Sequence, residues 1–303
     1  MRFEGLLAEV GGFGKFQISI LLITCLPRVI LPLHFLLHIF ISAAPSHHCA
    51  TPSAGKLGNW SQWKSLLLYI PQEPDGSLSS CRRYSHPQLH LLPNSSVGPP
   101  NRSTEPCEEG WEYDQSVFSS TTVTQWDLVC ERKGLNQAAA TFFFMGLTVG
   151  SVICGYLSDR FGRRKILLVS ILISSVFGLL SSFSVSFLMF CLSRSICGVG
   201  LMGMTLVSIT LALEWTDVEH RTFCSTINSL SWTVGYMILA LLAYCIRDWQ
   251  WLLLATTLPC LLSIATWWWV PESARWLLTQ QDSRAAHRYL SRCAEMNGRA
   301  GFS

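Results

Sequence analysis

Charge is scarce in this chain. Of its 303 residues, 14% are charged, against about a quarter in a typical soluble domain. The shortfall excludes an ordinary soluble globule and is what membrane-buried helices produce. The formal net charge is only +3 and its basic residues sit in particular loops, so nothing supports a nucleic-acid partner. No two cysteines stand in C-x-x-C spacing, and those outside the apolar runs lie too far apart for a compact tetrahedral zinc site. No nucleophile elbow, P-loop or dinucleotide-binding fingerprint is visible. The sequence therefore predicts no enzyme, no cofactor and no metal. Without a nucleotide-binding motif, any movement of solute has to be driven by gradients.

Half of the chain is apolar, and that half is arranged in long runs. The first spans residues 16–44. Ser42-Ala43-Ala44 could pass as a signal-peptide cleavage site, but the run is too long for a signal peptide and acidic Glu4 and Glu9 precede it. It reads as transmembrane helix 1, after a cytoplasmic N-terminus of residues 1–15. Pro27 and Pro32 predict a kink or a break in it, tolerated where the freed backbone faces protein or a cavity. Five more spans are expected within 135–270: Leu135–Leu157, Ile166–Val185, Phe187–Leu213, Thr222–Ile246 and Trp249–Val270. Each is long enough to cross the hydrocarbon of a bilayer. The whole reads as an all-α membrane protein.

Residues 45–133, between spans 1 and 2, are rich in Pro, Ser, Asn and charge and show no sustained helical period. Four cysteines fall there, Cys49, Cys81, Cys107 and Cys130, and in an exported segment they read as two disulfides with three possible pairings. Asn59, Asn94 and Asn101 each open an N-x-S sequon in the same stretch. An extracellular, glycosylated loop follows. By parity the turn holding Arg160, Arg163, Arg164 and Lys165 is cytoplasmic, as its positive charge requires. Trp249 and Trp251 at one end of the last span, and Trp267, Trp268 and Trp269 at the other, read as headgroup-level anchors. Residues 271–303 form a cytoplasmic segment with a basic helix carrying Arg275, Arg284, Arg288 and Arg292, and Ala300-Gly301-Phe302-Ser303 reads as an abrupt, truncated end.

Charges inside apolar spans are costly and usually face partners or water. Arg28 in span 1 either contacts an anion, pairs with a neighbouring helix or snorkels to the surface. Arg194 in span 4 is a structural or a conformational residue. Glu214 and Arg221 border the turn after span 4 and read as a salt bridge holding the helices together. His34 and His38, four apart, have metal-ligand spacing. No third ligand accompanies them, so a place lining a cavity, or ordinary packing, is the expectation.

Gly155-Tyr156-Leu157-Ser158-Asp159-Arg160-Phe161-Gly162-Arg163-Arg164-Lys165 has the pattern G-x-x-x-D-R-x-G-R-R-K, which resembles the signature between helices 2 and 3 of major facilitator transporters. Phe3-Glu4-Gly5-Leu6-Leu7, Val10-Gly11-Gly12-Phe13-Gly14, Cys107-Glu108-Glu109-Gly110-Trp111-Glu112-Tyr113-Asp114 and Gln125-Trp126-Asp127-Leu128-Val129-Cys130 resemble the solute carrier 22 family. Pro271-Glu272-Ser273-Ala274-Arg275-Trp276-Leu277-Leu278 resembles its signature after helix 6, with Ser-Ala-Arg as in the organic anion branch. The resemblance implies the N-terminal six-helix half of a twelve-helix fold, with a disulfide-stapled loop between helices 1 and 2.

It further implies alternating access at the plasma membrane, with small organic anions as substrates, carried by exchange. The lipid bilayer would surround the chain, and the missing C-terminal half or a second copy would complete it. A non-transporting truncated form that modulates, or fails to form, the full carrier is the alternative. Gly155, Asp159, Arg160, Gly162, Arg163 and Arg164 would form a cytoplasmic gate, its glycines permitting close helix approach. Arg194, Glu214, Arg221, Glu272 and Arg275 would form the charge network around it. Arg28, His34, Phe35, Thr205, Ile209 and Trp232 would line the substrate cavity. The family pairing of the cysteines would be Cys49–Cys107 and Cys81–Cys130.

Overall fold

A computed structural model describes residues 3–51, 66–88 and 103–299. Asn59, Asn94 and Asn101 lie outside the described residues. The chain divides into two compact units, one of residues 1–41 with 138–303 and one of residues 42–137.

The first unit opens with α1 (Phe3–Glu9), α2 (Lys15–Phe35) and α3 (Leu37–Ile41). Leu7 and Val10 are buried in the core, so the N-terminal segment is packed rather than a free tail. The first span is interrupted, but not at its prolines: α2 runs unbroken through Pro27 and Pro32. The helical run stops at Leu36, whose N–H reaches only the Pro32 carbonyl at 3.4 Å, and α3 starts afresh.

The second unit is built from short pieces. Strands β1 (His47–Cys49) and β4 (Trp111–Tyr113) pair antiparallel, as do β2 (Arg82–Tyr84) and β3 (Thr104–Pro106). Cys49 is joined to Cys107 and Cys81 to Cys130, the pairing that the family resemblance implies. On the β2–β3 ladder Arg83 faces Glu105 and binds it at 2.8 Å, with Glu109 at 3.1 Å. Helix α4 (Thr122–Trp126) is capped by Thr121. Ladders of three residues leave no periodicity long enough to read, which is why the segment looks structureless in sequence.

Five long helices follow: α5 (Lys133–Phe161), α6 (Arg163–Ser182), α7 (Phe187–Glu214), α8 (Arg221–Cys245) and α9 (Trp249–Thr266). With residues 15–41 they make six segments long and apolar enough to cross a membrane. Their starts are set by local chemistry. Ser186 accepts from Met189 N–H at the head of α7, and Asp248 accepts from Gln250 and Trp251 N–H at the head of α9. The basic turn expected between spans 2 and 3 shrinks to a single residue. Asp159 and Arg160 lie within α5, Arg163 to Lys165 lie within α6, and only Gly162 separates the two helices.

Side-chain polarity is inverted relative to a soluble bundle. Ser170, Ser174, Ser175, Ser181 and Ser182 of α6 face inward, and Ser174 and Ser181 bond carbonyls one turn back. Val152, Leu241 and Leu262 face outward, at 64–71% exposure. Small residues permit close helix contact where lipid, not water, covers the outside. At one crossing, a Cβ on Gly198 would stand 2.8 Å from the Phe143 carbonyl. After α9 the chain turns through α10 (Ala274–Thr279) into the basic α11 (Ser283–Met296). The latter buries Ala286, Leu290, Cys293 and Ala294 and leaves Arg284, Arg288 and Arg292 exposed.

Candidate functional site

The break at Gly162 is where the charges gather. A helix end leaves carbonyls without partners and a helix start leaves N–H groups without partners; here both kinds meet at one residue. Gly162 holds φ at +98°, a conformation open to glycine and strained for residues with a Cβ. A Cβ there would also stand 2.6 Å from Glu272 Oε2 and 3.1 Å from the Trp276 ring.

Glu272 supplies what the start of α6 lacks. Its Oε1 accepts from Arg163 N–H at 2.9 Å and Arg164 N–H at 3.2 Å, and its Oε2 accepts from Arg164 N–H at 3.2 Å. A carboxylate on the exposed amides at a helix N-terminus is favoured by hydrogen bonding and by the helix dipole together. The end of α5 is met in the complementary way. Ser158 carbonyl accepts from the Arg163 guanidinium at 3.1 Å, and Asp159 carbonyl from the Trp276 indole at 2.7 Å.

Arg163 binds two carboxylates. Its guanidinium meets Glu214, at the end of α7, through Nη2 at 3.0 Å and Nε at 3.2 Å, and Asp159 through Nη2 at 2.9 Å. Asp159 is 74% exposed, whereas the Arg163–Glu214 pair is largely covered. Arg164 stacks over the Trp267 ring at 4.5 Å, and that indole donates to the Arg164 carbonyl at 3.0 Å. Trp215, nearly fully buried, donates to the Glu272 carbonyl at 3.3 Å.

Several expected residues fall elsewhere. Arg160 is exposed and bonds Tyr156 on its own helix. A Cβ on Gly155 would meet open space, so no helix approaches it closely. Arg275 is exposed, and neither it nor Arg221 joins an ion pair among the described residues. Arg194 does not belong to this network. It precedes Glu214 by 20 residues on one helix, about 30 Å along the axis. The indoles of Trp215, Trp267 and Trp276 escape sequence reasoning, because an interfacial Trp and a carbonyl-capping Trp carry the same sequence signal. Trp249 is likewise no surface anchor: it is 1% exposed and packs edge-on against Phe190.

Arg194 forms a second polar site inside the helices. Its side chain has no exposure, donates to His34 Nδ1 at 3.1 Å and His34 carbonyl at 3.3 Å, and reaches His38 Nε2 at 3.4 Å. The Phe143 ring covers the guanidinium at 4.3 Å. A guanidinium cannot accept a hydrogen bond, so both imidazoles accept from it. His34, expected along a cavity, is fully buried against Arg194 instead.

The remaining cavity candidates divide. Arg28, Phe35 and Trp232 lie together and partly exposed: Arg28 is 5.2 Å from the centre of the Trp232 ring, which lies 5.9 Å from Phe35. Phe144 extends the cluster, 5.1 Å from Phe35. Ile209 is half-buried, whereas Thr205 is 2% exposed with a hydroxyl that finds no partner among the described residues. Asp217, Glu219 and His220 stand close enough to share a cation, but Asp217 already binds the His220 ring at 2.8 Å.

Comparison with known proteins places this geometry. The family described as "Sugar (and other) transporter" matches residues 105–300. Solute carrier family 22 member 7 of Pongo abelii is 54% identical over 99% of this chain and 56% of its own length. The Rattus norvegicus protein of that name is 50% identical over 99% and 57%. Solute carrier family 22 member 6 of Danio rerio is 39% identical over 99% and 55%. Among solved structures, the proton:xylose symporter XylE bound to 6-bromo-6-deoxy-D-glucose matches with a TM-score of 0.59. It is 15% identical, with 94% of this chain and 50% of that chain covered. The partially occluded inward-open xylose transporter XylE from E. coli gives 0.58 at 14% identity, covering 94% and 56%. At such identity the likeness concerns the fold. The chain spans about half the length of the curated relatives it matches.

Proposed function

The chain belongs to the sugar (and other) transporter family, and from that membership we propose that it is the N-terminal six-helix half of an organic anion carrier of the solute carrier 22 type. It would work by alternating access, with substrate held near the midplane between two such halves. The observation that carries the reading is the Gly162 junction, where Glu272 caps α6 while Arg163 ties Asp159 to Glu214. The Arg163–Asp159 pair, exposed at Asp159, can break and re-form at modest cost as two halves rock. Glu214 and Glu272 hold the resting arrangement; exposed Asp159 and Arg160 are left to meet the opposing half. In this reading the motif lies on the cytoplasmic face, with the N-terminus inside, the unit of residues 42–137 outside with its sequons glycosylated, and the protein at the plasma membrane.

Arg28 beside Trp232 and Phe35 supplies the chemistry an amphipathic anion needs: one charge-assisted donor and an aromatic wall. The outward gradient of an intracellular organic anion would drive the exchange. A second reading is favoured by the half-length match: a chain that does not transport alone and instead joins, or interferes with, a full-length carrier.

Uptake of a labelled organic anion by cells expressing this chain, normalised to its surface-biotinylated amount, separates the two. Saturable uptake above mock-transfected cells, lost in Arg28→Ala, supports a working carrier built from two copies. Abundant surface protein without uptake sinks the autonomous reading. If uptake is then recovered or suppressed on co-expressing a full-length relative, the second reading holds.

A further inference from the structure

Beyond the charged junction, one partly buried polar cluster of the first unit has no place in the mechanism so far. It centres on Asn297, just after α11. Oδ1 of Asn297 accepts from Phe16 N–H at 3.1 Å, and Nδ2 faces Gln17 Oε1 at 2.9 Å and the carbonyls of Val10 at 3.2 Å and Gly11 at 3.4 Å. Gln17 Oε1 also accepts from Gly14 N–H at 3.1 Å, and its amide donates to Cys293 Sγ at 3.4 Å. The backbone has made room for this side chain. A Cβ on Gly14 would strike Asn297 Oδ1 and stand 2.6 Å from its Cγ, and Gly11 turns with φ at +98°. One side chain thus ties the N-terminal segment and the first turn of α2 to the end of α11.

The residue beside that tie leads to the junction. Phe16, 5% exposed, packs edge-on against Trp215 with ring centres 4.9 Å apart. Trp215 donates its indole N–H to the Glu272 carbonyl, and the Glu272 carboxylate caps Arg163 and Arg164. We infer that Asn297 is a positioning residue for the charged junction. It sets the first turn of α2 against Trp215, and Trp215 sets the residue whose carboxylate holds the start of α6. Release of the N-terminal segment would then loosen the Gly162 junction without touching any of its charges. The inference rests on the gate reading only for its consequence in transport.

Hydrogen exchange of the full chain in lipid nanodiscs, read by mass spectrometry, tests it without requiring transport. In the unaltered protein the amides of Phe16, Arg163 and Arg164 are protected by the bonds above. Asn297→Ala is expected to speed exchange at peptides holding residues 12–18 and also at those holding residues 161–166, each by roughly fivefold, the effect of losing a helix cap. Gly14→Ala, which keeps every hydrogen-bonding group but displaces Asn297, should do the same and decides the matter if Asn297→Ala fails to fold. Trp215→Phe keeps a ring against Phe16 and removes the indole N–H. It should speed exchange at residues 161–166 alone. Arg284→Ala, on the exposed face of α11, should change neither. Faster exchange confined to residues 12–18 in the Asn297 and Gly14 variants overturns the coupling. A Trp215→Phe protein that keeps wild-type protection at Arg163 and Arg164 overturns the route through the indole.

Discussion

Arg163 and Glu214 are joined by two hydrogen bonds, 3.0 Å and 3.2 Å long and to separate carboxylate oxygens, between the first residue of α6 and the last of α7. Side chains at 9% and 13% exposure leave little water to screen them. Arg163→Ala strands Glu214, whereas Glu214→Ala leaves Arg163 its exposed partner Asp159. Arg163→Ala should lower stability by about 3 kcal/mol, and Glu214→Ala by less. The double variant should fall well short of the sum. A double-mutant cycle from thermal unfolding in detergent checks this; additive single effects would mean the pair is not coupled.

Gly162 and Gly155 belong to one motif yet sit in opposite circumstances. Gly162→Ala forces a Cβ into the left-handed region and against Glu272 and Trp276, and should cost about 1–3 kcal/mol. Gly155→Ala adds a methyl where nothing stands within 4 Å and should be neutral or stabilising by up to ~1 kcal/mol, since alanine favours a helix. Melting temperatures of the two variants, measured side by side, give the comparison.

The Arg194 site makes a prediction about protons rather than stability. His34 accepts through Nδ1 and His38 through Nε2, so their own protons sit on the other nitrogens. ¹⁵N-histidine NMR at neutral pH, with each signal assigned from a His→Gln variant, should find two neutral rings of opposite tautomer. An imidazolium signal from either ring would contradict the geometry.

In the second unit Tyr113 donates to Asp127 at 2.9 Å. Burial first, and the Asp127 hydrogen bond and charge with it, push the Tyr113 hydroxyl above its usual value. The folded protein therefore keeps a proton that the unfolded chain releases near pH 10. That contribution is complete below about pH 10 and is lost as the pH rises beyond it. Absorbance titration at 295 nm should show one late-ionising tyrosine that vanishes in Tyr113→Phe. Unfolding of this unit should also depend less on alkaline pH in that variant.

Much of this was legible from residue order. Runs of apolar residues predict the six spans, whereas the break in the first falls at Leu36 and not at either proline. The basic motif marks the residues that meet at Gly162. What escaped were groups whose role depends on a distant backbone atom. An indole that reads as an anchor faces outward in Trp268, at 69% exposure, and caps a carbonyl in Trp267. Arg194, Arg221 and Arg163 carry the same charge, and residue type alone does not tell which of them meets Glu214. Only helix length shows that Arg194 stands far from Glu214.

By itself the sequence determined what each segment must do with its solvent: where apolar runs are too long for water, where positive charge resists translocation, where glycine alone permits a turn. These follow from local chemistry, which acts on residues close along the chain. Which partner each polar group took was decided by the tertiary structure. Glu272 lies 109 residues from the Arg163 amide it caps, and Asn297 lies 281 from Phe16. Such pairings are set by how helices pack, because a buried polar atom must bond to whatever the packing brings within 3 Å or so.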